Sequence, residues 1–126
     1  MSDSLRSTFE AAVNRRLAGY TFGHLPHRFI VSYFGEIVIP AELIVDNADS
    51  FALWKSAHDT VQARIKVKGG NDNRAVGVWY DEDIDAFVWD MSRSFVELQN
   101  ALDFGKLNRQ KLVYDSLADD YERVPR

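Results

Sequence analysis

The chain has 126 residues, of which 46% are hydrophobic and 27% charged, with no cysteine and a formal net charge of −4. We take residues 1–126 as a single folded domain. The absence of cysteine excludes disulfides and cysteine-based zinc sites. No apolar run is long enough to cross a bilayer, and the N-terminus has no apolar signal-peptide core. We therefore expect a cytoplasmic protein that does not bind membranes.

The charge is unevenly distributed along the chain. Residues 1–80 contain nine Lys/Arg and eight Asp/Glu, whereas residues 81–126 contain six Lys/Arg and eleven Asp/Glu. The second segment therefore carries a formal charge of −5, which repels nucleic-acid phosphate. This distribution disfavours a dedicated nucleic-acid-binding protein, which would present a concentrated basic patch.

The first element is predicted to be a helix from about Ser4 to Ala18, ended by Gly19 and Gly23. Its apolar positions follow i+4 and i+3 steps, and they are Leu5, Phe9, Val13, Leu17 and Tyr20. Such a stripe is typical of a helix that packs one face on a core.

The segment HRFIVSYFGEIVIPAELIV is rich in β-branched and aromatic residues. Its two apolar runs predict two strands joined by a tight hairpin turn at Gly35-Glu36. Pro40 cannot donate a ladder hydrogen bond, so it marks an edge or the end of the second strand.

A second helix of about five turns is predicted after the cluster Asp46–Ser50, closed by Gly69-Gly70. Its stripe consists of Phe51, Trp54, His58, Val61 and Ile65. Two alternating strands follow, Arg74 to Tyr80 and Ala86 to Met91, joined by an acidic segment.

A third helix is predicted in SRSFVELQNALDFGKLN, because Ser94 and Glu97 have the spacing of a capping box. Two short final strands, from Lys111 to Asp115 and from Tyr121 to Val124, flank an acidic turn. The predicted order is α-ββ-α-ββ-α-ββ. It indicates an α+β fold with three helices packed, mainly on one face, on an antiparallel or mixed sheet.

The acidic segment has the opening spacing of a calcium loop at Asp81, Asp83 and Asp85. The rest of that motif is missing, because the sixth position is Ala86 and the twelfth is Ser92. The alternatives are a solvated hairpin turn whose charges discourage edge-to-edge pairing, and an acidic surface that docks a basic partner.

Aromatic residues flank the acidic segment on both sides. Trp79, Phe87 and Trp89 are predicted to share one sheet face, with Tyr80 and Val88 on the other. An exposed aromatic set rimmed by acids has the composition of a protein interface. The candidate partner-binding residues are Trp79, Tyr80, Asp81, Glu82, Asp83, Asp85, Phe87 and Trp89.

Catalytic and metal-binding signals are sparse. His24 and His27 lie three residues apart beside a proline, and a zinc site would need further ligands, of which His58 is one candidate. No nucleophile-elbow or phosphate-loop motif is present, so we expect no cofactor, no metal and no catalytic residue.

Residues of the C-terminal third resemble a block in small uncharacterised proteins of bacteriophages and prophages, especially those of actinobacteria. The resemblance covers about residues 75–115. The matching positions are Trp79, Asp81, Asp90, Ser92, Ala101, Leu102, Gly105, Asn108, Gln110, Tyr114 and Asp115. Asp83-Ile84-Asp85 replaces the glycine of that hairpin turn, so a two-residue turn is not expected. The resemblance implies an accessory protein of a phage or mobile element.

Three functions follow as hypotheses. The first is a non-enzymatic binding protein that engages a host protein through the acidic and aromatic C-terminal half and modulates it, as an anti-defence inhibitor does. The second is a small metal-dependent or hydrolytic enzyme that uses His24, His27 and His58. The third is a structural protein that assembles through an exposed sheet edge.

Overall fold

The computed structural model describes residues 3–70 and 72–125, without the side chains of residues 3 and 34–36. The helices are α1 (Asp3–Val13), α2 (Ala48–Val67) and α3 (Leu98–Leu107). The strands are β1 (Gly19–Phe22), β2 (Phe29–Pro40), β3 (Arg74–Asp81), β4 (Ala86–Phe95), β5 (Leu112–Asp115) and β6 (Asp120–Arg123). A short 3-10 turn, Ala41–Leu43, follows β2. No helix in the described ranges is long and apolar enough to span a bilayer.

The six strands form one antiparallel sheet in the order β1-β3-β4-β2-β5-β6. The prediction of an α+β fold with three helices on an antiparallel sheet is confirmed. Consecutive strands pair in β3–β4 and in β5–β6, but β1 and β2 are not neighbours. The two strands predicted on either side of Gly35-Glu36 both lie within β2, and β1 is a strand that the sequence did not predict.

The three helices pack on the same face of the sheet, which we call the helix face. The strand register places Val76, Met91 and Tyr33 in one cross-strand row, and all three belong to the core around α1 and α2. The second hydrophobic cluster joins α3 to Val31 of β2 and Val113 of β5. Neither cluster places a helix on the opposite face, which we call the open face.

Helix α2 matches its prediction. Asn47 is the N-cap, and its side chain accepts a hydrogen bond from the backbone N–H of Ser50 at 2.8 Å. The helix ends before Gly69-Gly70, where the N–H of Gly70 returns to the carbonyl of Ile65 at 2.9 Å. Its buried side places Trp54 in the core.

Helix α1 ends earlier than predicted. Asn14 closes the last turn with its side-chain amide on the carbonyl of Glu10, and Arg15 takes φ = 58°, a left-handed conformation that stops a helix. The Arg15 guanidinium then donates to the carbonyls of Ala41 and Ile44. Tyr20, predicted as the end of the helical stripe, lies instead in β1.

The predicted turn at Gly35-Glu36 is wrong, because β2 runs through it without a break. The pairing of β2 with β4 shifts register between Tyr33 and Ile37, so the extra residues form an irregularity in one strand. Strand pairing with β4 on both sides of this shift keeps the segment extended.

The predicted capping box of α3 is also wrong. Ser94 lies in β4, where its backbone N–H and hydroxyl both hydrogen-bond to the side-chain oxygen of Asn73. Glu97 stands at the N-cap without a side-chain cap bond. The spacing was a coincidence, and a strand-to-loop contact holds Ser94 instead.

An ion pair between the exposed Arg28 and the buried Asp115 joins the end of β5 to the start of β2. The Nε–H and one terminal N–H group of the Arg28 guanidinium donate to the two carboxylate oxygens of Asp115, each at 2.7 Å. The backbone N–H groups of Leu117 and Ala118 donate to the same carboxylate. The Arg28 hydrogen bonds, with help from those N–H groups, lower the pKa of Asp115 from 3.8 to about 2.

This lowered pKa predicts a loss of stability in acid. Because the folded-state pKa lies below the ordinary value, the carboxylate stabilises the fold above pH 4 or so, and that contribution is lost as the pH falls towards about 2. Asp115→Asn should reduce the free energy of unfolding at pH 7. It should also flatten the dependence of that free energy on pH between about 4 and about 2. Urea titrations at several pH values measure this, with the exposed Asp120→Asn as control. An unchanged pH profile in Asp115→Asn would contradict the assignment.

Candidate functional site

The β3–β4 hairpin has a four-residue loop, residues 82–85, and not a two-residue turn. The Asp81 carboxylate accepts from the backbone N–H of Asp83 at 3.0 Å, and Asp85 takes φ = 49°. The carbonyl of Asp85 also accepts from the N–H of Ala41 at 3.0 Å. These bonds fix the loop in one conformation against the end of β2.

The four acids of this hairpin, which we call the acidic tip, lie at the surface. Asp81 is half-buried, and Glu82, Asp83 and Asp85 are exposed. The Tyr80 hydroxyl donates to Asp85 at 2.5 Å, and this hydrogen bond is the main reason that the pKa of Tyr80 is raised. The tip therefore presents a concentrated negative charge on an ordered loop.

The predicted division of aromatics between the two sheet faces is wrong. Trp79 pairs with Val88 and Tyr80 pairs with Phe87, so Trp79 lies on the open face while Phe87 and Trp89 point to the helices. Phe87 and Trp89 are 1% and 0% exposed and pack on Trp54 with ring centroids 5.3 and 4.7 Å away. They belong to the core and support the hairpin from behind.

On the open face, Trp79 forms a cross-strand row with Val88 of β4 and Val38 of β2. Trp79 is 38% exposed and Val38 49%, while Val88 is buried beneath them. We call this row the Trp79 patch. Asp81 follows two residues later on the same side of β3, about 7 Å along the strand, so the patch borders the acidic tip.

The buried carboxylate of Asp90 holds the Trp79 indole in place. Its Nε1–H donates to the carboxylate of Asp90 at 3.2 Å, and Asp90 is 3% exposed. Gly77 is the cross-strand partner of Asp90. A Cβ at Gly77 would lie 3.2 Å from that carboxylate and 2.9 Å from the Ser92 hydroxyl, so the glycine provides the space that both side chains occupy.

The three histidines do not form a metal site. Among the described residues, no cluster of three potential metal ligands exists. His24 and His27 are exposed, whereas His58 is half-buried on α2 with its ring against Phe22 and Trp89 at 4.9 and 6.3 Å. The His58 ring also lies 3.0 Å from its neighbour Asp59. Its contacts are those of an aromatic residue packed at the margin of the core.

The sheet ends in two short edge strands, β1 and β6, of four residues each. Short edges are one way in which proteins limit pairing with other chains. Residues of β6 are all exposed, and its sequence DYER carries three charges. This edge is poorly suited to continuing the sheet into a second molecule.

Sequence reasoning missed three residues of this surface, namely Val38, Gly77 and Asp90. Val38 is distant in sequence and joins the patch only through strand pairing. The sequence did contain a signal for Asp90, which is an acid between Trp89 and Met91 inside an apolar strand. An acid at such a position is buried, and a buried carboxylate requires a polar partner nearby.

Comparison of this chain with protein-family models, with curated proteins and with solved structures finds no match.

Proposed function

We propose that this chain is a non-enzymatic binding protein that docks a basic surface of a partner protein against the acidic tip and the Trp79 patch. The observation that carries the proposal is the exposed Trp79 on the open face of the sheet, fixed by the buried carboxylate of Asp90. The four acids of the acidic tip border this tryptophan. The resemblance to phage and prophage proteins suggests a host protein as the partner.

The patch supplies what a binding interface needs for affinity. Tryptophan is enriched among residues that dominate binding energy, and such residues work best when their geometry is fixed before binding. The hydrogen bond to Asp90 fixes the indole of Trp79, and Val38 extends the apolar surface beside it. Little side-chain freedom is therefore lost when a partner covers the patch.

The tip supplies selectivity through its charge. Acidic groups at the rim of an interface attract partners with Lys- and Arg-rich surfaces and mainly raise the association rate. The hydrogen bonds within the loop keep these charges close together. The partner surface that fits is therefore basic at its rim, with an apolar recess for the indole.

The tip can be neutralised without changing its shape. Replacing Asp81, Glu82, Asp83 and Asp85 with the corresponding amides retains the oxygen that accepts from Asp83 N–H and the oxygen that accepts from Tyr80. Asn also tolerates the left-handed conformation of residue 85. We expect association with the partner to slow about tenfold at low salt and to lose most of its salt dependence. Thermal stability should stay close to that of wild type.

The test has two stages. Wild-type protein and the amide variant serve as bait in host lysate, with the captured protein identified by mass spectrometry, and stopped-flow kinetics then measure association at several salt concentrations. The matched control neutralises four exposed acids elsewhere, Glu10, Asp46, Asp72 and Glu97. Equal rates for the tip variant and this control would reject the role of the tip.

A further inference from the structure

A second charged surface lies near the β6 edge of the sheet, where the end of α3 packs against Val124, the residue that follows β6. A cleft of about 510 Å³ opens there. Four cations line it, with Gln110, Val124 and Pro125 completing the wall, and no Asp or Glu among the lining residues. The cations are Lys106, Arg109, Lys111 and Arg123, and we call this site the basic cleft.

The chain path brings these cations together. Helix α3 ends in a reversal in which the N–H of Arg109 bonds to the carbonyl of Lys106 at 3.1 Å and the N–H of Gln110 bonds to that of Gly105 at 2.8 Å. The N–H of Val124 then bonds to the carbonyl of Lys111 at 2.8 Å, which places the end of β6 beside the reversal. Arg123 thereby faces the same cleft as the cations of the α3–β5 connection.

Arg109 occupies a backbone conformation that favours glycine. Its φ is 58°, and it stands at the position after the helix where glycine is the common residue. An arginine there accepts a conformational cost and adds a positive charge to the cleft. No ion pair found among the described residues involves any of the four cations.

We propose that the basic cleft binds a compact phosphate-bearing small ligand, of the diphosphate or triphosphate kind. Two guanidinium groups and two ammonium groups suit several phosphate oxygens, since arginine forms paired hydrogen bonds with them and lysine acts as a point charge. The volume lies within the range of small-molecule sites, and the four positive charges exceed the charge of about −2 that a single phosphate group carries.

Charge elsewhere on the molecule restricts the ligand to a small one. The whole chain has a net charge of −4, and the acidic tip lies at the end of the β3–β4 hairpin, with β2 and β5 between it and β6. A long nucleic acid that extended beyond the cleft would meet this negative surface. A compact ligand stays within reach of the four cations.

Calorimetric titration of the full chain with tripolyphosphate tests the proposal, with pyrophosphate, sulfate, a twelve-nucleotide single strand and oligoglutamate compared under the same conditions. Tripolyphosphate should bind at least about tenfold more tightly than sulfate and weaken as salt rises from about 50 to about 200 mM. It should also raise the Tm of the protein. Tighter binding of the oligonucleotide or of oligoglutamate than of tripolyphosphate would overturn the assignment to a small ligand.

Arg109→Gly separates binding from folding. Glycine relieves the left-handed conformation, so the Tm should be unchanged or higher while tripolyphosphate affinity falls about fivefold or more through loss of a charged hydrogen-bond donor. Arg123→Ala should weaken binding to a similar extent, and the exposed Arg16→Ala should change it less than twofold or so, because surface charges act weakly at a distance. Undiminished affinity in both cleft variants would overturn the proposal.

Discussion

Replacing Trp54 with Ala should lower the free energy of unfolding by about 3–5 kcal/mol, because a large buried side chain is lost and a cavity is left. Trp54 is fully buried on α2, and its ring packs against Phe87 and Trp89. Its Nε1–H also donates to the buried hydroxyl of Thr8 at 3.2 Å, and in Trp54→Ala this hydroxyl would lose its donor. A loss of this size is a large fraction of the stability of an ordinary domain.

Urea unfolding followed by circular dichroism measures this loss. The neighbouring Leu53→Ala is the matched control, because Leu53 is 39% exposed on the solvent side of the same helix and should change the free energy of unfolding by only about 0.5 kcal/mol. Trp54→Phe, which retains an aromatic ring, should fall between the two. Similar losses for Trp54→Ala and Leu53→Ala would show that Trp54 is not at the centre of the core.

Trp79→Ala is expected to weaken binding of the partner protein by 2 kcal/mol or more, roughly thirtyfold, as for other central tryptophans of interfaces. Folding should lose about 1–3 kcal/mol, because the buried Asp90 carboxylate loses the indole N–H as a donor. Binding is therefore compared under conditions in which urea titration shows the variant to be folded, so that the loss of affinity reports on the interface and not on unfolding.

The affinity for the captured partner is measured by biolayer interferometry, and unfolding by urea titration. Tyr121→Ala provides the control, since Tyr121 is an aromatic residue of β6 on the same sheet face, 61% exposed and far along the sheet from the patch. Asp90→Asn provides a second comparison, because it keeps an acceptor for the indole N–H without the charge. Loss of binding in Tyr121→Ala as large as in Trp79→Ala would locate the interface elsewhere.

Much of the fold was predictable where local chemistry determines it. Helix α2 has long apolar periodicity, an Asn N-cap and a Gly-Gly ending, and all of these signals lie within the segment itself. The two final strands were also found, because an acidic turn separates two short β-prone runs. The prediction failed at the end of α1, where carbonyls 26 and 29 residues away hold the Arg15 guanidinium.

The candidate site shows the same limit. The sequence indicated an acidic hairpin with flanking tryptophans, but not which tryptophan faces solvent. In an antiparallel pair, a loop one residue longer or shorter moves every side chain of a strand to the other face relative to its partner. The loop at residues 82–85 pairs Trp79 with Val88, which separates Trp79 from Trp89. Loop length depends on packing at the end of β2 as well as on the loop residues.

Strand β2 has a further consequence, for the order in which the chain can fold. Its two partners, β4 and β5, both follow it in the sequence, with Ile30 paired to Ser94 and to Tyr114. During synthesis, this long apolar strand has no sheet partner until residues 86–95 have left the ribosome, whereas β3 and β4 can pair as soon as both exist. The hairpin that carries the acidic tip is thus the first part of the sheet that can form. Strand β2 must be protected from aggregation until β4 is available to pair with it.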